Sequence, residues 1–300
     1  MKSCYSKVTP DFIKKLTAFV GEENIITPAG DIEPYTHDET EGLQFQPEVV
    51  VKPISTAQVS EIMKSCYESN IPVTPRGGGT GLSGGALPIY GGLVLSLEKM
   101  NKILEIDTAN LMAVVQPGVI TEVFQTEVEK IGLFYPPDPA SKGSCLLGGN
   151  VAECAGGPRS LKYGVTKDYI YGLEVVLADG RVINPGGKLL KNVSGYNLTQ
   201  IIIGSEGTLG IVTKIIIKLL PLPLFRKTLL VPFDDLEKAA YTLTQIFFNR
   251  IIPCAAEFID KKGIHELSAS KKQLYQSIDN KISEPLFEVA MRLYVLGENK

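Results

Sequence analysis

Residues Pro75 to Gly92 read PRGGGTGLSGGALPIYGG. Half of positions 77 to 92 are glycine: Gly77, Gly78, Gly79, Gly81, Gly84, Gly85, Gly91 and Gly92. Glycine is entropically costly to order, so this density needs a physical reason. A backbone without Cβ atoms can adopt positive φ and turn successive N–H groups into one concavity, which binds phosphate oxygens. Arg76, Thr80 and Ser83 would add side-chain donors to such a cradle. A flexible linker is the competing reading. The apolar segments on both sides and the absence of a Ser/Gly repeat argue against it. Gly79 to Gly84 matches G-x-G-x-x-G, but a dinucleotide fingerprint requires a helix to open inside the motif. Pro88 and the Gly91-Gly92 pair make a long helix there implausible. No G-x-x-x-x-G-K-[ST] stretch occurs, which excludes that phosphate loop.

Further candidates follow downstream. Pro136-Pro137-Asp138-Pro139 is stiff, because each proline fixes φ and restricts its predecessor. It would hold Ser141 and Ser144 against a nucleotide, or form a rigid surface turn. Gly148-Gly149-Asn150 and Gly156-Gly157 allow close approach of backbone to a ligand. Cys154 lies between these glycine pairs; with no cationic neighbour in sequence, a packed thiol is favoured over a reactive one. Glu206 could be structural, accepting backbone N–H bonds, or could face a ligand. Lys191 and Tyr196 are equally open. His37 and His265 read as surface or capping residues, and two histidines cannot make a His-rich metal site.

The 300 residues carry a net charge of −3, which disfavours a protein built to neutralise nucleic-acid phosphates. The five cysteines form no C-x-x-C pair, which predicts reduced thiols and a cytoplasmic setting. Met1 to Phe12 has no apolar run, so no secretory signal is expected. Lys214, Lys218 and the prolines after Leu220 interrupt the apolar stretch from Ile211 to Phe225, so no membrane span is expected.

The elements that must position these groups can be read from periodicity. Of 29 glycines, all but five lie between Gly77 and Gly210. This divides the chain into an N-terminal helical extension (1–45), a glycine-bearing middle (46–222) and a final part of different texture (223–300). Thr9-Pro10-Asp11 predicts a helix start, with Phe12, Leu16 and Val20 on one face. In the middle part, strands are expected at 48–53, 71–73, 92–97, 103–107, 112–116, 171–177, 181–183 and 211–219. Helices are expected after Ser55 and over 121–130, and Asp179-Gly180 marks a hairpin turn. In the last part, strands at 229–232, 255–259 and 286–296 alternate with a helix after Asp234-Asp235 and a polar helical stretch reaching about Asn280.

Five blocks, taken in order, carry a resemblance. They are PRGGGTGLSGGA, Tyr135 to Ile170, GLEVVLADG (Gly172–Gly180), KNVSGYNL (Lys191–Leu198) and Gly204 to Pro223. Together they resemble the FAD-binding family typified by vanillyl-alcohol oxidase and p-cresol methylhydroxylase. The branch they are most similar to holds the glycolate oxidase flavin subunit and the D-lactate and D-2-hydroxyglutarate dehydrogenases. The resemblance covers residues 10 to 300 and implies an α+β fold. A two-subdomain FAD-binding domain of the p-cresol methylhydroxylase type would be followed by the start of an α+β substrate, or cap, domain.

It implies cofactor contacts from Pro75, Arg76, Gly77, Gly78, Gly79, Thr80, Gly81, Leu82 and Ser83. Others would come from Pro137, Asp138, Ser141 and Ser144, and from Gly148, Gly149, Asn150, Cys154, Gly156, Gly157 and Gly164. The last set is Glu206, Gly207, Ile211 and Val212. Thr80 stands where some relatives carry a histidine linked to FAD, which implies non-covalent FAD. The implied activity is oxidation of a small 2-hydroxy acid such as glycolate or D-lactate by hydride transfer to FAD. The alternative is an FAD-binding module whose partner chain supplies the substrate site. An iron–sulfur subunit or a quinone is the implied electron acceptor, with membrane association through a partner. Relatives carry a histidine-containing H-x-H-x-G-D-G-N-like segment farther on. The chain reaches Lys300 without one, so the expectation is a cofactor half without its catalytic half. No catalytic residue and no metal ligand is assigned.

Overall fold

Helix α1 (Pro10–Val20) starts where Thr9 accepts a hydrogen bond from the Phe12 N–H and Pro10 fills the first turn. The computed structural model describes residues 4–28, 30–260 and 289–297. The chain divides into two compact units. The first comprises Met1–Tyr135, Pro139–Ala155 and Val165–Pro221, and the second comprises Pro136–Asp138, Gly156–Gly164 and Leu222–Lys300.

The first unit opens with a four-stranded sheet of β1 (Ile25–Ile26), β2 (Val49–Val51), β3 (Val73–Arg76) and β4 (Leu93–Ser96), in the order β1-β2-β4-β3. Strands β2 and β3 both run parallel to β4, and β1 is antiparallel to β2. Helix α2 (Thr56–Glu68) joins β2 to β3, and Ser55 caps it by accepting from the Gln58 N–H. The sheet is buried on both faces, as a parallel sheet requires. Val49, Val51, Leu93 and Leu95 share one core cluster with Phe12, Leu16, Val59 and Ile62, so the N-terminal helix belongs to this core. Val50 and Val94 face the other way, against Ile32 and Tyr35. The unbroken valine run of β2 is the sequence trace of this double burial.

A second, antiparallel sheet is built from β5 (Ile103–Asp107) and β6 (Met112–Val115) with three later strands. Between them in the chain come α3 (Thr121–Glu129), β7 (Leu133–Phe134), α4 (Leu147–Glu153) and, in the second unit, α5 (Ser160–Tyr163). Then follow β8 (Ile170–Val176), β9 (Val182–Ile183), α6 (Leu198–Ile202), β10 (Ile211–Lys218) and β11 (Leu220–Pro221). The sheet order is β5-β6-β10-β8-β9, and β11 pairs with β7. The expected turn at Asp179-Gly180 joins β8 to β9, with Gly180 at φ 86° and Asp179 accepting from the Arg181 N–H. Helices α4, α5 and α6 were not expected from periodicity.

The second unit carries an antiparallel sheet of β12 (Phe225–Phe233), β13 (Ala255–Asp260) and β14 (Val289–Gly297), in the order β12-β14-β13. Helix α7 (Leu236–Phe248) follows β12, capped by Asp235, which accepts from the Lys238 N–H. Strand β12 is longer than the 229–232 expected, because it pairs with β14 along its whole length, Phe225 with Gly297 through Phe233 with Val289. The expected polar helical stretch lies, from residue 261 on, outside the described residues. No helix among the described residues is long and apolar enough to cross a membrane.

Candidate functional site

Parallel neighbours cannot be joined by a hairpin; they need a crossover, usually a helix. Here the crossover from β3 to β4 is the glycine-rich segment itself, and no helix opens within it. The loop is seated closely. A Cβ at Gly78 would stand 2.6 Å from the Ser144 carbonyl oxygen, and one at Gly77 would stand 3.4 Å from the Gly149 Cα. Gly207, at φ 75°, closes from the far side, where a Cβ would meet Pro75 Cγ at 2.4 Å. Among the described residues, none accepts a hydrogen bond from the N–H groups of Gly77 through Ser83. A run of unclaimed N–H donors on Cβ-free backbone is the composition of an anion cradle.

Gly77 through Leu82 of this run line a cleft of about 280 Å³ within the first unit, just under the usual range for ligand clefts. One wall is the loop, with Pro75, Arg76, Gly77, Gly78, Gly79, Thr80, Gly81 and Leu82. Another is α4, which contributes Gly148, Gly149 and Asn150. Ser141, Glu206, Gly207, Ile211 and Val212 complete the expected residues that meet there. Gly148 sets the depth of α4: a Cβ there would lie 2.5 Å from Pro117 Cβ, so only glycine lets the helix lie so close. Asn150 is buried and donates to Thr121 Oγ1 at 2.7 Å, tying α4 to α3.

Two expected side-chain donors are otherwise engaged. Arg76 is buried, and its Nη1 and Nη2 donate to the carbonyls of His37 and Pro34, each at 2.8 Å. It holds the 34–38 segment to the loop instead of reaching an anion. Ser83 donates to the Glu153 carboxylate at 3.4 Å and does not line the cleft. Ser144 donates to the Ser141 carbonyl and Cys154 ends α4 with φ 53°; neither lines the cleft. Pro137, Asp138, Gly156, Gly157 and Gly164 lie in the second unit. There Asp138 forms an ion pair with Arg159, Oδ2 to Nε 3.2 Å. Lys191 and Tyr196 are exposed, away from the cleft lining. His37 is a half-exposed residue 3.4 Å from the Glu33 carboxylate; His265 lies outside the described residues.

Sequence reasoning missed Asp38 and Glu153, two acids that join the expected Glu206 at the cleft. Asp38 is only 7% exposed, lines the cleft, and its Oδ2 has no hydrogen-bond partner among the described residues. Glu153, on the last turn of α4, and Glu206 reach the same place. A Cβ at Gly85 would be 3.0 Å from Glu153 Oε1 and 3.3 Å from Glu206 Oε2. Burial raises the Glu153 carboxyl above the usual carboxylate range; Glu206 and Asp38 push the same way, against the Ser83 hydrogen bond. No sequence spacing could have joined positions 38, 153 and 206. No group of acids, cysteines and histidines among the described residues is placed to hold a metal ion.

The family described as "FAD binding domain" matches residues 47–186, which span the loop, strands β2 to β4 of its sheet, α4 and most of the cleft wall. By that match, residues 47–186 are an FAD-binding domain. The chain is 49% identical over 254 residues to the glycolate oxidase subunit GlcD of Bacillus subtilis, covering 85% of this chain and 54% of that one. It is 42% identical over 261 residues to a D-lactate dehydrogenase of Anaerostipes hadrus, covering 87% of this chain and 54% of that one. The chain thus spans about half the length of these curated relatives. Among solved structures, p-cresol methylhydroxylase with substrate bound superposes with a TM-score of 0.78 at 21% identity, covering 95% of this chain and 60% of that one. That likeness shows the fold, an α+β arrangement of the p-cresol methylhydroxylase type. The donor set fits the cofactor: unclaimed loop N–H groups suit a pyrophosphate, and Gly149, where a Cβ would meet no atom within 4 Å, leaves room beside the loop.

Proposed function

We propose that this chain is the FAD-holding portion of an oxidoreductase acting on a small 2-hydroxy acid such as glycolate or D-lactate. The observation that carries the reading is the run of unclaimed N–H groups from Gly77 to Leu82, on residues that line a cleft in the matched domain. The loop N–H groups hold the pyrophosphate, and Gly148, Gly149 and Asn150 on α4 form the facing wall. Ile211 and Val212 cover an apolar part of the ligand. FAD is held without a covalent link, since Thr80 cannot form the histidyl bond. When bound, the flavin supplies the hydride acceptor, and the protein supplies binding, orientation and acid–base groups. Residues 46–222 are read as the FAD-binding domain and 223–300 as the opening of an α+β substrate domain.

A second reading is an FAD-binding module that depends on a partner chain for its substrate site. Its support is the similarity to a protein named as a subunit. An iron–sulfur subunit or a quinone would then take the electrons, in a cytoplasmic protein brought to a membrane through its partner. Two measurements test the proposal. The purified chain is expected to retain FAD after desalting, with flavin absorbance and a raised melting temperature; a colourless protein with no thermal shift overturns it. The isolated chain is expected to give no turnover of glycolate or D-lactate with an artificial electron acceptor. Turnover would refute the need for a further substrate-binding part.

A further inference from the structure

The cleft that should receive an anion is lined by acids. Glu153 and Glu206 place a carboxylate oxygen each against Gly85, at 3.0 and 3.3 Å from the position of its missing Cβ. Asp38 adds a buried carboxyl group whose Oδ2 lacks a partner among the described residues. The cation of the cleft lining is Arg76, and its guanidinium is committed to the His37 and Pro34 carbonyls. Of the elements packed on α4, β10 carries Lys214, ion-paired with Glu174, and Lys218. The 3-10 turn Thr166–Tyr169 carries Lys167 and Asp168, and Asp168 accepts from the Val165 N–H. None of these lines the cleft. In the free protein, Glu153 is part-buried but, like Glu206, still open to solvent, and water screens their repulsion. A pyrophosphate in the cradle removes that water and adds charge of the same sign, which disfavours the ionised pair.

We propose that the Glu153–Glu206 pair takes up one proton from solvent as FAD enters the glycine cradle, leaving one of the two carboxyls neutral beside the bound pyrophosphate. The inference rests on the FAD reading above. The neutral acid is a hydrogen-bond donor, whereas two carboxylates would offer acceptors alone. Glu153 is the member that carries the proton, because burial, Glu206 and Asp38 all disfavour its charge. Proton uptake on binding means that affinity falls as pH rises, by up to about tenfold per pH unit for one linked proton.

The experiment is calorimetric titration of the apo chain with FAD in buffers of different ionisation enthalpy, repeated from about pH 6 to about pH 9, a range above ordinary carboxylate values. The wild type is expected to take up close to one proton per FAD, with a Kd that rises with pH. Glu153→Gln, a near-isostere, is expected to abolish the uptake, flatten the pH profile and bind more tightly than wild type at the alkaline end. Glu206→Gln should reduce the uptake in the same direction, and a melting curve of each variant establishes that it is folded. FAD binding with no net proton uptake and a pH-independent Kd overturns this inference and leaves the FAD reading intact. So does full wild-type uptake in folded Glu153→Gln. Absence of FAD binding at every pH overturns both.

Discussion

Gly149→Ala should separate the cleft from the fold. Gly149 sits inside α4, and a Cβ built there meets no atom within 4 Å. The protein therefore does not resist the new methyl group. Alanine is more favourable than glycine within a helix by about 0.5–1 kcal/mol. For a chain of this size, each kcal/mol moves the melting temperature by about 2–4 °C. The apo variant is thus expected to melt about 1–4 °C higher than wild type. The open space the methyl enters is that of the cleft, which Gly149 lines. Overfilling a fitted site costs about 1–3 kcal/mol, and the FAD Kd should weaken by about 5- to 150-fold. Gly78→Ala is the contrast, because its Cβ would press on the Ser144 carbonyl at 2.6 Å; it should lose stability and affinity together. The assay is thermal unfolding of the apo proteins followed by FAD titration with fluorescence or calorimetry. A Gly149→Ala protein that binds FAD as wild type does, or that melts lower in the apo form, refutes the reasoning.

Other substitutions test the scaffold. Arg76→Lys keeps the charge but cannot fork to both the His37 and Pro34 carbonyls. It should lower the apo melting temperature, by about 1–3 kcal/mol in stability, and weaken FAD binding without changing its salt dependence; an altered salt dependence would mean direct contact with phosphate. Glu174 accepts from Thr56 at 2.6 Å, Thr213 at 3.0 Å and Lys214 at 3.0 Å, joining the start of α2 to the antiparallel sheet. Burial opposes its charge, but the hydrogen bonds from Thr56, Lys214 and Thr213 prevail and hold its carboxyl below the usual range. Its stabilisation is therefore present above the ordinary glutamate pKa of about 4.3 and is lost as pH falls through the lower folded value. Glu174→Ala should cost about 1–3 kcal/mol at neutral pH and make denaturant stability less dependent on pH in the acid range. An unchanged acid profile would sink that assignment.

The strands were legible wherever burial left a strong pattern. Val49–Val51 is apolar at every position because both faces are covered, and the alternation along β10 follows a sheet with one deeper face. Helix α4 was not legible, because Gly148 and Gly149 lower its propensity. It forms because Gly148 lets it approach Pro117 while Leu147 and Val151 are buried. The glycine cradle could be read from composition, since the chemistry lies in the backbone. Its side chains could not. Arg76 and Ser83 have the donor types expected of a phosphate site, yet their partners are backbone carbonyls and a carboxylate contributed by distant segments. His37 drew notice as a titratable residue, while its neighbour Asp38 is the buried acid that faces the cleft. Side-chain direction after a turn is a tertiary property, and sequence spacing does not encode it.

The joining of β3 to β4 by the cradle also bears on how freely the sequence can vary. Surface loops ordinarily accept insertions at little cost, since closure entropy grows slowly with length. This one starts at the end of one strand and must return, over roughly 13 Å for a four-residue strand, to the beginning of its hydrogen-bonded neighbour. Its first two residues, Gly77 and Gly78, are seated on Gly149 and the Ser144 carbonyl. An added or deleted residue would have to shift either the register Val73–Leu93 to Arg76–Ser96 or the aim of the N–H groups. Length is therefore constrained here as tightly as residue type. The same segment serves as chain connection and as ligand surface, and neither role can drift without the other.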